Sequence, residues 1–274
     1  PVEQALEQIL KSTTTPSASS EHVCPHCRQV VPPMEIVVLG RKRTVQPRCR
    51  CEVEWFEEEM RRSHEAKIKA EIERLFSVSE LGDRFANCTF ENFQIRHGAE
   101  TAFQVCKEFA ERFEADKPDG VLIWGQPGNG KSHLAAAVTN YLLAKGHTVV
   151  FVTMPELLER IRNTFNRNDQ DNEADLMRAL LLCDLLVLDD IGAEKVTDWT
   201  QDVLFRIVDK RYRRNKPLLL TSNYTPEELR GRLDDKGRLY DRIVEFAVPV
   251  ENKATSFRVE RGRNRIAELV RRFK

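Results

Sequence analysis

The feature that most constrains this chain is Gly125-Gln126-Pro127-Gly128-Asn129-Gly130-Lys131-Ser132. This complete G-x-x-x-x-G-K-S lies between an apolar run, Val121 to Trp124, and a helix-period segment, Lys131 to Ala144. A strand that turns through glycines into a helix leaves backbone N–H groups pointing at one spot, close to the positive end of the helix dipole. Gly128 and Gly130 suit the unusual backbone angles of such a turn and leave room for a bulky anion. Lys131 adds a point charge for β- and γ-phosphates, and the Ser132 hydroxyl can ligate Mg²⁺. Residues Gly125 to Ser132, followed by His133, therefore form a candidate ATP-binding loop. Its strand–turn–helix setting confirms the motif and commits this part of the chain to an α/β fold.

The surrounding pattern agrees. Val121 to Trp124, Thr148 to Thr153, Leu185 to Leu188, Leu218 to Thr221 and Phe246 to Val250 read as buried strands. Between them lie helix-period segments: Glu100 to Phe113, Lys131 to Ala144, Pro155 to Phe165, Glu173 to Leu182 and Asp202 to Arg213. Strands alternating with helices predict a parallel sheet between helices. No internal repeat is present.

Hydrolysis also needs a carboxylate for the metal and a group that positions water. Asp189 and Asp190, just beyond Leu185 to Leu188, supply both: Asp189 for Mg²⁺ and Asp190 for the attacking water. Asp-Asp also suits a turn that ends a strand. Asp190 is shorter than the Glu many such enzymes carry, which leaves its role as base less firm than the metal role of Asp189. A third strand ends at Thr221-Ser222-Asn223, where the Asn223 amide either touches the γ-phosphate or lytic water or starts the turn before Pro226. Arg238 and Arg242, four apart on a short helix from Gly237 to Ile243, share one face. They read either as an arginine finger for another subunit's phosphate site or as an ordinary surface pair.

Together these residues resemble the AAA+ replicative helicase loaders of the DnaC/DnaI type, with the transposition-helper ATPase IstB as a cousin. The resemblance spans about residues 81 to 260. It includes Asn87-Cys88-Thr89-Phe90-Glu91-Asn92-Phe93 ahead of the core and Lys131-Ser132-His133-Leu134-Ala135-Ala136-Ala137 in the phosphate-loop helix. Pro155 to Asp184 resembles the insert specific to initiators and loaders. The resemblance implies that Asn223 is the first sensor, Arg242 the finger acting in trans with help from Arg238, and Arg258 the second sensor arginine. It implies a homo-oligomer or a helicase-templated ring or spiral with a reduced or absent lid. In loaders the insert lines a DNA path, so Arg160, Arg162, Phe165 and Arg167 become candidates for single-stranded DNA, with guanidiniums for phosphates and a ring for stacking. On the residues alone, Phe165 equally suits an inward-packed helix end.

Cys24-Pro25-His26-Cys27 and Cys49-Arg50-Cys51 add a second site. Two close thiolate pairs suit a tetrahedral structural Zn²⁺, which replaces the core that about thirty residues hardly supply. The one-residue gap between Cys49 and Cys51 leaves open a ligand set that includes His22 or His26. Cys88, Cys106 and Cys183 sit in apolar surroundings and read as buried thiols. The expected order is a flexible segment 1–20, a zinc module 21–51, a charged helical spacer 52–80 and the ATPase domain 81–274, ending in a basic helix. In the resembling loaders the N-terminal part grips the helicase.

No stretch approaches the roughly 20 apolar residues of a membrane helix, and Pro1 to Leu10 carries Glu3 and Glu7 rather than a basic patch and apolar segment. A cytoplasmic protein without a membrane partner is expected. The 43 basic and 43 acidic residues sum to zero, yet residues 257–274 hold seven basic and two acidic ones, and Arg41 to Arg43 form a second basic cluster. Three functions remain. The first is an ATP-regulated loader of a hexameric helicase onto single-stranded DNA; the second is a transposition-helper ATPase that remodels DNA. The third is a zinc adaptor whose nucleotide site is only structural.

Overall fold

The computed structural model describes residues 22–38, 40–76, 85–164, 172–193, 197–233 and 237–272. The expected flexible segment 1–20 lies outside them, as do Phe165 and Arg167. Contacts divide the chain into two compact units, Pro1–Ala66 and Lys67–Lys274.

In the first unit, β1 (His22–Val23) pairs with β2 (Val30–Val31), and β3 (Met34–Val38) pairs with β4 (Arg41–Val45), both antiparallel. Gly40, at φ +76°, makes the turn of the second hairpin. Helix α1 (Arg50–Leu75) starts among the last two cysteines of the module. Its first half is solvated, as its charge density predicts, with Arg50–Glu54 and Arg62–Glu58 pairs at i,i±4 spacing.

The end of α1 differs from a mere spacer. Ile72 and Leu75, with Phe76 beyond them, are buried in the core of the second unit, and Ile68 packs against it. Spacing of i, i+4 and i+7 puts Ile68, Ile72 and Leu75 on one stripe. The Leu75 carbonyl, left without an intrahelical donor at the helix end, accepts from Arg160 Nη1 at 3.0 Å.

The second unit is built on β5 (Gly120–Trp124), β6 (Val149–Thr153), β7 (Leu185–Ile191), β8 (Leu218–Ser222) and β9 (Ala247–Glu251). They form one sheet in the order β6-β7-β8-β5-β9, with all neighbours parallel. The strands are continuous apolar runs because helices cover both faces. Alternate residues feed two cores: Leu186, Leu188, Leu218 and Leu220 enter one, while Leu185, Val187 and Leu219 enter the other. Helices α2 (Glu100–Glu111) and α3 (Lys131–Ala144) cover the second core. The first is covered by α4 (Met154–Asn163), α5 (Glu173–Leu182), α6 (Asp198–Tyr212), α7 (Pro226–Leu233) and α8 (Arg238–Phe246).

Helix α6 begins four residues before the expected Asp202. The Thr197 hydroxyl accepts from Thr200 N–H at 3.2 Å, and the Thr200 hydroxyl accepts from Thr197 N–H at 2.7 Å. This reciprocal cap uses Thr where the usual signature has Glu or Gln. Helix α9 (Phe257–Arg272) closes the described chain, and none of its described side chains is buried.

Candidate functional site

Strands β5, β8 and β7 are neighbours, so the chain leaving their carboxyl ends converges on one crevice, the usual ligand position of an open α/β sheet. There a cavity of 570 Å³ is lined by the phosphate loop from Pro127 to His133, by Asp189, Asp190, Thr221 and Asn223, and by Arg258.

The loop's glycines are required by geometry. Gly125, Gly128 and Gly130 have φ of +139°, +78° and +106°. A Cβ would lie 2.4 Å from the Asn252 carbonyl oxygen at Gly125, 2.4 Å from Ser256 Oγ at Gly128 and 2.9 Å from the Phe93 ring at Gly130. Helix α3 starts directly after Gly130 with no side chain capping it. Its first N–H groups therefore remain available to an anion.

Lys131 Nζ donates to the Gly125 and Gln126 carbonyls at 2.8 and 2.9 Å, to Asn129 Oδ1 at 3.3 Å and to Asn223 Oδ1 at 2.8 Å. Burial pulls its pKa down to about 8; Asp190 and Asp189 oppose that shift, and Arg258 adds to it. Asp189 is buried, which raises its pKa against the hydrogen bonds it accepts from the Thr221 and Ser132 hydroxyls. Asn223 Nδ2 donates to Asp190 Oδ1 while its Oδ1 accepts from Lys131, so one amide bridges the cation and the second carboxylate. Both carboxylates lie inside β7, which runs on to Ile191 and does not stop before them as expected.

His133 Nε2 lies 3.2 Å from the Thr89 carbonyl and 3.0 Å from Asn92 Oδ1. Burial lowers its pKa. Two acceptors facing one ring nitrogen make that nitrogen the donor. The ring thus ties α3 to the 87–93 segment. Asn140 fastens the start of that segment and the turn before it by donating to the Cys88 and Phe85 carbonyls at 2.8 and 3.0 Å.

Three residues of the site have no motif to announce them. Asn252, at the end of β9, donates from Nδ2 to the Asn129 carbonyl at 3.2 Å, and Asn129 Nδ2 donates back to the Asn252 carbonyl at 2.6 Å. Both are fully enclosed. Arg96 donates to the Asn129 carbonyl at 3.3 Å, pairs with Glu260 and lies 5.3 Å from the Phe257 ring centroid. Phe257 N–H donates to the Gly128 carbonyl at 2.8 Å, so the start of α9 is fastened to the phosphate loop. Thr221 is the third: it donates to Asp189 Oδ1 at 2.6 Å and accepts from Asp190 N–H at 2.9 Å.

The arginines separate. Arg258 and Arg261 line the cavity, whereas Arg238 and Arg242 do not. Arg242 lies on α8, pairs with Glu245 and Asp209, and sits 4.5 Å from the Tyr212 ring centroid. In the insert, Arg160 donates to the Leu75 carbonyl, pairs with Glu156 and lies over the Phe76 ring. Arg162 lies over Trp199, 5.2 Å from the ring centroid.

In the first unit, the Sγ atoms of Cys24, Cys27, Cys49 and Cys51 all lie within 4.8 Å of one another. Cys24–Cys51 and Cys27–Cys49 are 3.4 and 3.5 Å apart. Four thiolates about 2.3 Å from one Zn²⁺ are separated by roughly 3.8 Å at tetrahedral angles, so this set fits that ion. The Cys27 backbone N–H leads the effects that pull the Cys24 thiol down to about 6. His26 stacks on Trp55 at 5.8 Å between centroids and is no part of the cluster. The one-residue gap works because Cys49 immediately precedes α1 and Cys51 occupies its first turn.

The family of IstB-like ATP binding proteins matches residues 52–265. The replicative helicase loader DnaC of Buchnera aphidicola subsp. Baizongia pistaciae is 34% identical over 194 residues, covering 69% of this chain and 78% of that protein. DnaC of Escherichia coli K12 is 31% identical over 173 residues, covering 63% and 69%. The crystal structure of the DnaC helicase loader matches with TM-score 0.56 at 23% identity, covering 63% of this chain and 100% of that one. That of DnaI matches with TM-score 0.55 at 25% identity, covering 63% and 92%. The chain therefore belongs to the IstB-like ATP-binding family, as an AAA+ protein of the DnaC/DnaI helicase-loader type.

Proposed function

We propose that this protein binds and hydrolyses ATP, binds a hexameric DnaB-type helicase and loads it onto single-stranded DNA, with ATP as the assembly switch. One observation carries the reading. A single hydrogen-bonded network joins Ser132, Asp189, Thr221, Asp190, Asn223 and Lys131 at the carboxyl ends of adjacent strands.

Lys131, released from its carbonyls, meets the β- and γ-phosphates. Ser132 and Asp189 would hold Mg²⁺, which would neutralise phosphate charge. Asp190 accepts a hydrogen bond from the attacking water. Asn223, whose Oδ1 is freed as Lys131 turns to phosphate, helps to place that water. Arg258 faces the nucleotide from the same chain. Arg242, outside its own cavity, acts on a neighbouring subunit in a homo-oligomer or a helicase-templated ring or spiral, and Arg238 supports it. Cys24, Cys27, Cys49 and Cys51 would hold a structural Zn²⁺, which would stabilise the N-terminal module that grips the helicase. Arg160, Arg162, Phe165 and Arg167 of the insert contact single-stranded DNA. Turnover is slow and stimulated by DNA.

The family's IstB-like name favours a second reading, a transposition-helper ATPase that remodels duplex DNA. The named loaders among the relatives favour the first. Lys131→Ala tests the switch: a variant that loads helicase as well as the wild type leaves only a zinc adaptor. A protein that stimulates a transposase and ignores helicase moves the assignment to the second reading.

A further inference from the structure

We propose that Thr221 is a positioning residue that brings both carboxylates to one side of the sheet and holds them there for nucleotide chemistry. The proposal rests on the ATPase reading above and deepens it.

Adjacent residues of a regular strand point to opposite faces. Along β7, Leu186 and Leu188 enter one core while Leu185 and Val187 enter the other. An unbroken strand would continue this alternation and send Asp189 and Asp190 to opposite sides. Both nevertheless line the same cavity. The register explains how. Between Leu188 and Ile191 strand β7 advances three residues while β8 advances two, from Leu220 to Ser222. One extra residue on one strand is a β-bulge, which re-aims a side chain and leaves ladder groups unpaired. At this bulge Asp190 adopts φ +62°, in the left-handed region that non-glycine residues seldom enter.

Thr221 is the one residue of β8 between the two paired positions, and it is 1% exposed. A hydroxyl has one proton to give and two lone pairs. Thr221 uses both capacities here, accepting from the Asp190 backbone N–H at 2.9 Å and donating to Asp189 Oδ1 at 2.6 Å. The first bond replaces a ladder bond that the bulge breaks and holds the left-handed turn at Asp190. The second orients the carboxylate assigned to the metal, whose other contact is the Ser132 hydroxyl. Asp190, so turned, meets the Asn223 amide. The bulge thereby carries a short Asp side chain to where it can face water.

The test compares Thr221→Val, which keeps the shape and loses the hydroxyl, with Thr221→Ser, which keeps the hydroxyl. Thr221→Ala, less demanding of packing, runs alongside with the same expectation as valine, so a valine variant that fails to fold leaves the test intact. Two readouts are taken: binding of fluorescent mant-ATP across a Mg²⁺ titration, and kcat. Groups that orient metal ligands typically affect metal affinity or activity 10–100-fold, so the valine and alanine variants should raise half-saturating Mg²⁺ about tenfold and lower kcat by about 10–100-fold. Binding in excess EDTA should stay within about twofold, and serine should restore wild-type values within about threefold. Unmoved Mg²⁺ half-saturation and kcat in valine and alanine, or serine as impaired as alanine, overturns the proposal while a wild type with Mg²⁺-dependent ATP turnover keeps the ATPase reading. A wild type without such turnover overturns both.

Discussion

Asn252→Ala removes the residue that clasps the phosphate loop from the end of the neighbouring edge strand, β9. The substitution deletes the Nδ2 bond to the Asn129 carbonyl and the Oδ1 bond from Ala254 N–H, both in a dry setting. Two side-chain hydrogen bonds at about 1 kcal/mol each, plus about 1–2 kcal/mol for a buried N–H left unpaired, give a loss of about 3–4 kcal/mol. The Asn129 carbonyl keeps its bond from Arg96, which sets the lower end of that range. For a unit of about two hundred residues each kcal/mol moves Tm by roughly 2–4 °C, so thermal unfolding should come about 6–16 °C earlier. Asn129 also accepts from Lys131 through Oδ1, so a loosened Asn129 should weaken ATP binding as well. Calorimetry and mant-ATP titration on the same preparation measure both. A Tm within about 2 °C of wild type, well below the shift worked from these bonds, with unchanged ATP affinity, would show that the clasp does not hold the loop.

The remaining expectations concern charge, sterics and metal. With its pKa lowered to about 8, Lys131 is protonated at neutral pH and loses its proton as pH rises through that value. ATP affinity should then be flat up to about pH 8 and fall up to about tenfold per pH unit above it, whereas Lys131→Arg, which stays charged, should show no such slope. A titration in which both proteins fall in parallel contradicts this. Gly125→Ala should lose at least about tenfold in ATP affinity, because its Cβ would meet the Asn252 carbonyl at 2.4 Å in a backbone that β-carbon residues avoid; unchanged binding would refute the steric argument. Purified protein should carry about one zinc per chain, lost with Cys49→Ser, and metal analysis finding equal zinc in both sinks the cluster as a metal site. Subunits carrying Arg242→Ala should hydrolyse ATP slowly when assembled alone and recover when mixed with Lys131→Ala subunits; a wild-type rate for Arg242→Ala alone removes the finger assignment.

What the sequence made legible was local. The phosphate loop, the five strands and the cysteine spacing each depend on neighbours within a few residues; four strands appear within one residue of their expected ends, and β7 runs three residues past its own. Thr221 and Asn252 escaped because the site residues they hold, Asp190, Asp189 and Asn129, are 31 to 123 residues away and are met partly through backbone atoms, which leave no side-chain pattern. The bulge at Asp189–Asp190 was invisible for a related reason: a run of apolar residues ending in two aspartates says nothing about where the ladder skips. The contacts of Arg160 were hidden because a basic residue on an insert helix has no visible partner in sequence. Only folding brings the end of α1 to it, and the same packing draws Ile72 and Leu75 into the core.

Whether this protein loads a helicase is decided by mixing it with the DnaB-type helicase of the same organism, with and without ATP, and weighing the complexes by size-exclusion chromatography with light scattering. A complex of loader and hexameric helicase whose amount or stoichiometry depends on ATP, and which Lys131→Ala uncouples from ATP, is the predicted result. No complex under either condition would contradict the claim and leave the transposition reading in its place.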